Sequence, residues 1–296
     1  MRRTKGTRLA VAGLVGPFLL LFLAFFIAPV LYTLYRSLLV VHRSGPLGLG
    51  GAENVFGGLT NYRWALEDPG FLAGFGRILL FGVVQVPVMI LGATVLALLL
   101  DTASARWKGF FRSAYFLPYG VPGVIASILW GFLYTPGISP VSELFGALGI
   151  PVDFLSSGSI LWSIANIVTW TYAGYNMLVI IAQLNAIDPA LREAARIDGA
   201  NAWQIAIRIK LPLIRPALVL NTVFSIIGTL QLFTEPLLLK PLSGYIDVEY
   251  TPNMSAYAEA FTNNDYGLAA AQSIIVAVTC FVLSFGFLKL VGRRGA

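Results

Sequence analysis

The chain has 296 residues, of which 57% are hydrophobic and 11% are charged, and its mean hydropathy is +0.78. A soluble domain normally carries about a quarter charged residues, so this composition excludes an ordinary soluble protein and indicates a chain embedded in a bilayer. The net charge of +6 is not gathered in a basic patch with interleaved aromatic residues, and it therefore does not indicate nucleic-acid binding.

Cys280 and His42 are the only cysteine and the only histidine of the chain. A single cysteine excludes an internal disulfide, and two residues so far apart do not match the spacing of a metal site. We therefore predict no metal site, and we expect Cys280 to be a small core residue and His42 a solvated loop residue.

Six apolar stretches are long enough to cross a bilayer. A hydrocarbon core of about 30 Å requires ~20 apolar residues in a helix, and long runs without alternating polarity favour helices over barrel strands. The predicted fold class is an all-α integral membrane protein, a single domain over residues 1–296. The predicted spans are approximately 9–37, 76–100, 112–135, 159–184, 214–235 and 268–290.

The first apolar stretch follows basic residues, as the h-region of a signal peptide does. Its uncharged run from Leu9 to Tyr35 is far longer than the usual h-region of about 7–15 residues, so we expect a retained membrane helix. Kinks are expected where prolines lie in or beside the spans, because proline removes a backbone donor. These prolines are Pro17, Pro29, Pro87, Pro118 and Pro122.

Lysines and arginines are distributed unevenly between the two sides of the membrane. Fifteen of the twenty lie in the two tails, the second-to-third loop and the fourth-to-fifth loop. Because loops rich in these residues remain in the cytoplasm, both termini are predicted to be cytoplasmic. In the tails, the prediction depends partly on Arg2, Arg3, Arg293 and Arg294.

Polar and aromatic side chains recur at helical spacing in the fourth and fifth spans. They suit a neutral, hydroxyl-rich solute, because hydroxyl groups need hydrogen-bond partners and a sugar ring stacks on aromatic rings. Such residues also join helices or form interfacial belts, so both interpretations are open. The candidate substrate-pathway residues are Asn166, Trp170, Tyr175, Asn221, Ser225 and Gln231. A mid-membrane pocket is predicted to be lined by Asn166, Trp170, Asn221 and Ser225.

The loop between the fourth and fifth spans, residues 185–213, is predicted to form a helix-turn-helix at the cytoplasmic surface. Asp188, which is followed by proline, is a typical helix start, and Gly199 suits the left-handed residue that ends a helix. Asn201 and Gln204 have the spacing of a capping box at the start of a second helix.

This loop reads EAARIDGANAWQIAIRIKLP from Glu193 to Pro212. Its frame resembles the cytoplasmic EAA loop of permease subunits in binding-protein-dependent ABC importers. The resemblance implies that an ATPase partner contacts this loop, with Glu193 offering a carboxylate and small alanines keeping the helix slim. The candidate ATPase-coupling residues are Glu193, Ala194, Ala195, Asp198, Gly199, Ala200 and Pro212.

Other stretches are similar to the carbohydrate-type branch of this family, which includes maltose-like and glycerol-phosphate-like permeases. They are FRSAYFLPYGVPGVIASILWGFLY at 111–134, QLFTEP at 231–236 and YGLAAA at 266–271. The resemblance implies a sugar or related polyol as solute. One departure is LLLKPLSG at 237–244, where this branch often has a Gly-Gly-Pro turn, so docking in that loop stays open.

The resemblance also implies a heteromeric complex in a bacterial or archaeal cell membrane. Its members are this chain, a second homologous permease, two ABC ATPase subunits and an extracytoplasmic solute-binding protein, to which the Gly- and Pro-rich outer loops are expected to dock. The chain contains no G-x-x-x-x-G-K-[ST] pattern, so it is predicted not to be an enzyme and to bind no cofactor. ATP and Mg would be used by the partner ATPase, whose movement drives alternating access.

Two other functions are open. An ion-driven secondary transporter or channel usually carries charged residues within its membrane helices, whereas the central portions of all six predicted spans lack any charge. A non-transporting membrane scaffold would have no use for a dedicated coupling loop.

Overall fold

The computed structural model describes residues 5–43, 51–102, 106–150 and 152–292. Arg2, Arg3, Arg293 and Arg294, which contribute to the predicted orientation, lie outside the described residues. We predicted a single domain, and the contacts group the chain into two compact units. The first consists of Met1–Leu72 and Ser255–Ala277, and the second of Ala73–Met254 and Val278–Ala296.

Helices dominate the described residues. The helices of the first half are α1 (Lys5–Phe22), α2 (Ala28–Ser37), α3 (Thr60–Glu67), α4 (Pro69–Asp101), α5 (Lys108–Phe116), α6 (Gly123–Tyr134) and α7 (Pro140–Ala147). Those of the second half are α8 (Ile160–Asn185), α9 (Pro189–Ile197), α10 (Ala202–Ile205), α11 (Leu211–Leu213), α12 (Arg215–Leu230), α13 (Thr234–Leu239), α14 (Pro252–Phe261) and α15 (Tyr266–Gly292). Shorter segments are two π-helical turns, Leu23–Ile27 and Ala206–Lys210, a 3₁₀ turn, Leu117–Gly120, and two strands, β1 (Leu39–Arg43) and β2 (Ala52–Phe56).

Among the described residues, four helices are long and apolar enough to cross a membrane. They are Gly13–Ser37, Pro69–Asp101, Ile160–Asn185 and Tyr266–Val291. Two bent helix pairs bring the number to six if each pair is one span: Lys108–Gly120 with Gly123–Tyr134, and Ala202–Leu213 with Arg215–Leu230.

The third predicted span, 112–135, is a broken helix and not a continuous one. Its two halves meet at an angle of 97°. Pro118 lies within the 3₁₀ turn, and Val121, before Pro122, is extended. A residue that precedes proline is driven out of the helical region, so two prolines four residues apart end one helix before the next begins.

The fifth predicted span also differs from its expected bounds. Its halves are bent by 65°, and α12 ends at Leu230, five residues before the predicted end at 235. The chain then turns at Gln231 and continues as the short helix α13. The consequence is that the residues after Gln231 leave the axis of the span.

Between the first and second predicted spans, where we predicted only an outer loop, the first unit contains β1, β2 and α3. Strands β1 and β2 pair antiparallel, from Leu39 opposite Phe56 to Arg43 opposite Ala52. The Asn61 side chain is buried and donates to the carbonyl oxygens of Ser37, at 2.9 Å, and Leu39, at 2.7 Å. These bonds attach α3 to the end of α2 and the start of β1.

The second unit contains two apolar cores. One gathers side chains of α4, α6, α8 and α13, with Phe81, Ile164 and Leu239 completely buried. The other packs Ala93 and Ala97 of α4 against α8 and Ile214. Helix α4 therefore packs along α8 in both apolar cores.

Candidate functional site

The predicted helix-turn-helix forms with the predicted caps. Asp188 Oδ1 accepts the backbone N–H of Ala190 at 2.9 Å, and Gly199 ends α9 with a φ of +80°. Asn201 and Gln204 exchange side-chain-to-backbone bonds, both of 2.9 Å, in a complete capping box. These local predictions are confirmed.

The predicted coupling residues of α9 differ in their exposure to solvent. Glu193 and Ala194 are exposed, whereas Ala195 is buried against its own subunit. Of the two alanines only Ala194 is therefore available to a partner. The remaining predicted residues Asp198, Gly199 and Pro212 are exposed and Ala200 is half-buried.

Two large apolar side chains of this loop were not among the predicted residues. Ile197 is 87% exposed and Trp203 is 72% exposed. Large apolar residues within a charged loop are a signal that sequence reasoning could have used, because exposed apolar clusters mark interaction surfaces.

A buried ion pair joins the loop to the end of α4. Lys210 Nζ lies 2.6 Å from Asp101 Oδ2, and the two side chains are 10% and 8% exposed. Arg192 of α9 adds a second cation at 3.8 Å from the same oxygen. Asp101 is the last residue of α4, where the helix dipole disfavours an anion, so these cations stabilise its charge. We call these three residues the Asp101 cluster.

A cavity of about 370 Å³ lies between α4, α8 and α12, and residues 231–235, which lead into α13, also line it. Its polar lining is provided by Gln85, Asn176, Ser225, Thr229, Gln231, Thr234 and Glu235, and its tyrosine lining by Tyr119, Tyr172 and Tyr175. We call it the central cavity. Its walls are uncharged apart from Glu235, among the residues that the structure describes.

The break in the third span brings Tyr119 to this cavity. The Tyr119 ring stacks on Tyr175 with centroids 4.8 Å apart and meets Tyr172 edge-on at 5.9 Å. A straight helix would continue past this level, so the prolines at the break are what place an aromatic ring against α8.

Three of the four residues of the predicted pocket do not line the central cavity. Asn166 donates to the Tyr134 hydroxyl at 2.8 Å, and Trp170 packs edge-on against Trp130 at 5.8 Å. Asn221 is 2% exposed and donates to the Asn176 carbonyl at 3.3 Å. These contacts join helices, which is the common use of polar side chains in membranes. Of the other predicted pathway residues, Tyr175, Ser225 and Gln231 do line the cavity.

Gln85 and Glu235 are cavity residues that the sequence did not reveal. Gln85 is buried, and its Oε1 has no hydrogen-bond partner among the described residues. Burial raises the pKa of the Glu235 carboxyl above its ordinary value, although its own backbone N–H opposes this shift. An unpaired acceptor and a half-buried carboxylate in one cavity indicate a site for a hydroxyl-bearing solute.

Alanine substitutions are expected to act differently at a residue that joins two helices and at a residue that lines the central cavity. Asn166→Ala removes a hydrogen bond between helices, so we expect a loss of about 1 kcal/mol in unfolding free energy and an unchanged KM for uptake. Ser225→Ala removes a cavity hydroxyl, so we expect a KM raised several-fold and unchanged stability. Thermal unfolding and uptake kinetics of the assembled transporter check both, and the reverse pattern would contradict the cavity assignment.

Comparison with protein families places residues 93–294 in one described as the binding-protein-dependent transport system inner membrane component. The lactose transport system permease protein LacF of Rhizobium radiobacter is 33% identical over 263 residues, 86% of each chain. The sn-glycerol-3-phosphate transport system permease protein UgpA of Agrobacterium fabrum is 31% identical over 291 residues, 95% of this chain and 94% of the relative.

Solved structures share the fold. A chain of a bacterial ABC transporter involved in the import of the acidic polysaccharide alginate superposes with a TM-score of 0.81 and 22% identity. The superposition covers 98% of this chain and 96% of the other. A bacterial alginate ABC transporter in complex with an alginate pentasaccharide-bound periplasmic protein also gives 0.81, at 21% identity.

Proposed function

The chain belongs to the family of binding-protein-dependent transport system inner membrane components, and from this premise we propose that it forms half of the translocation pathway of an ATP-driven importer of a sugar or related polyol. One observation carries the proposal. Helix α4 lines the central cavity through Gln85 and Met89, and the same helix ends at Asp101, which pairs with Lys210 of the loop at residues 185–213. We call this loop the coupling loop. A displacement of the loop is thereby delivered to a wall of the cavity.

The chemistry of the cavity supports the solute class. Tyrosine rings offer apolar faces, and the amide and hydroxyl groups of Gln85, Asn176 and Ser225 offer donors and acceptors. A sugar presents the matching apolar ring face and hydroxyl groups. The lactose and glycerol-phosphate solutes in the names of the two relatives fit the same class of polyhydroxylated molecules.

The energy source is proposed to be two partner ATPases, which use ATP and Mg themselves. The exposed face of α9, with Glu193 and Ala194, and the apolar side chains Ile197 and Trp203 form a protruding surface for such a partner. Charged and apolar groups together give both orientation and affinity. Movement of the ATPases on nucleotide binding would displace α9 as a rigid element.

The remaining members of the complex follow from the family. A second permease would complete the pathway, and a solute-binding protein would deliver the sugar, as the periplasmic protein in the alginate structure is bound to its transporter. The uneven distribution of Lys and Arg supports cytoplasmic termini and a cytoplasmic coupling loop.

Gly199 offers a direct test of the loop. We expect Gly199→Trp to abolish ATP-dependent uptake, because φ is +80° there and a left-handed conformation costs a side-chain-bearing residue about 1–2 kcal/mol. The added indole would also project from the exposed turn towards the partner. Glu193→Ala is expected to weaken coupling to the ATPase. Uptake assays with the co-expressed complex check both variants, and normal uptake by Gly199→Trp would count against the proposed role of the loop.

Co-purification tests the proposed function as a whole. The chain would be expressed with the genes that neighbour its own, extracted in detergent and isolated through an affinity tag. We expect an ABC ATPase and a second permease to be retained in stoichiometric amounts. A folded chain that retains no ATPase would overturn the proposal.

A further inference from the structure

Glu235 is shared by the linings of two cavities in the second compact unit. It lines the central cavity and also a neighbouring cavity of about 310 Å³. Tyr119 and Tyr172 line both cavities as well. A solute that passes from one cavity to the other therefore passes beside the Glu235 carboxyl.

In the part of the chain that the structure describes, no cation lines either cavity beside the carboxyl. Neither cavity has a lysine, arginine or histidine in its lining, among the described residues. No ion pair found in the described part of the chain includes Glu235, and the titratable groups that face it from the third span and α8 are tyrosines. Its charge is therefore free to act on whatever enters.

We propose that Glu235 is the charge filter of the translocation cavity, excluding anionic solutes and admitting neutral or cationic hydroxyl-rich ones. This inference rests on the proposed function, because it assumes that the central cavity is the solute path. It narrows the solute class to unphosphorylated, uncarboxylated sugars, polyols or amino sugars.

The size of the effect follows from Coulomb's law. A unit charge on a solute within about 5–10 Å of the carboxylate, at the effective dielectric constant of a half-buried site, changes its local concentration roughly tenfold or more. An anion is disfavoured and a cation is favoured by the same factor, so the ratio between them changes more than either one. Because the pKa of Glu235 is raised, its carboxylate becomes protonated earlier as the pH falls than a carboxylate in water does. The discrimination between charged solutes is lost with that protonation.

Glu235 also has a structural role, stabilisation of the start of α13, and an experiment has to distinguish this role from the exclusion of anions. Glu235 lies in the first turn of α13, where any carboxylate stabilises a helix. Glu143 occupies the first turn of α7, is exposed and lines neither cavity. Glu143→Gln is therefore the matched control, since it removes one first-turn charge without touching the path.

The experiment measures the potential inside the cavity with charged thiol reagents. Cys280→Ala removes the native thiol, and Ser225→Cys places one in the cavity with little change of volume. The assembled complex in lipid is treated with methyl, 2-(trimethylammonium)ethyl and 2-sulfonatoethyl methanethiosulfonates. Each transfers its thioalkyl group to the cysteine thiolate as a mixed disulfide and releases methanesulfinate. The ratio of cation to anion rate cancels the ionisation of the thiol itself.

We expect the ratio of cation to anion rate, divided by the same ratio for a small thiol in solution, to be about a hundredfold. Glu235→Gln is expected to lower this normalised ratio about a hundredfold, while Glu143→Gln leaves it unchanged. A ratio unaffected by Glu235→Gln would overturn the filter but leave the importer assignment intact. Failure of the neutral methyl reagent to reach the thiol introduced by Ser225→Cys would show that this cavity is not a solute path, and would overturn both the filter and the proposed pathway.

Discussion

Asp101→Asn is expected to abolish ATP-driven uptake and to lower the stability of the subunit. The substitution leaves Lys210 buried, charged and without its partner at 2.6 Å. Breaking a buried ion pair by removing one member costs about 3–5 kcal/mol, a large fraction of the stability of a typical domain. Thermal unfolding and uptake by the assembled complex in lipid vesicles measure the two effects.

A double variant separates stability from coupling. Asp101→Ala with Lys210→Met removes both charges, and replacing a buried pair by apolar residues is often neutral or stabilising. We expect this variant to be folded and assembled but still impaired in uptake, because the link from the loop to α4 is gone. Full uptake by the double variant would contradict a transmitting role for the Asp101 cluster.

An exposed pair provides the control for these charge changes. Arg63 and Glu67 lie 2.8 Å apart on α3, but their side chains are 76% and 58% exposed. Surface pairs contribute little, so Glu67→Gln is expected to change neither unfolding nor uptake. A loss comparable to that of Asp101→Asn would mean that the assays respond to charge alone.

Gly174→Ala is the second substitution for which we expect a large loss. A Cβ at Gly174 would overlap the Tyr115 carbonyl group and lie 2.9 Å from the Phe116 Cα. These are backbone atoms, so α5 and α8 would have to separate, and overpacking of this kind costs typically about 1–3 kcal/mol and occasionally more. The separation would also displace Tyr119, which follows α5 directly and stacks in the central cavity.

The measurement for Gly174→Ala is again unfolding together with uptake. We expect a lower unfolding temperature, a poor yield of assembled complex and little uptake. Gly92→Ala is the control, because Gly92 belongs to the membrane helix α4 and has nothing within 4 Å of an added Cβ. Equal behaviour of the two variants would show that the close approach of α5 and α8 is not required.

The helix-turn-helix was predictable because its signals are local. The caps at Asp188 and Asn201 and the left-handed turn at Gly199 depend on residues only a few positions away, and all three form as expected. The apolar spans were predictable for a similar reason, since length and composition are enough to identify a membrane helix.

The contents of the cavity were not predictable in this way. In a span that is apolar on all sides, periodicity does not reveal which face meets a cavity and which meets another helix. Asn166 and Asn221 were therefore equivalent to Ser225 by sequence, although only Ser225 lines the central cavity. Glu235 is the last residue of the fifth predicted span, and its position in the cavity depends on the turn that follows Leu230.

The Asp101 cluster was beyond sequence reasoning for a different reason. Asp101 and Lys210 are 109 residues apart, and each alone resembles an ordinary charge at the end of a membrane helix. Only the packing of α4 along α8 brings the end of α4 to the coupling loop. The prolines of the third span predicted a kink in one continuous helix. The structure instead has two helices that meet at 97°.

In the proposed mechanism, a partner ATPase drives this subunit through the coupling loop. The most direct test is ATP hydrolysis by the complex purified with its neighbouring gene products, in lipid vesicles, with and without the sugar-loaded solute-binding protein. The proposed mechanism predicts hydrolysis stimulated by the loaded protein, together with uptake that requires ATP. Uptake that follows an ion gradient and needs neither ATP nor the binding protein would contradict this mechanism.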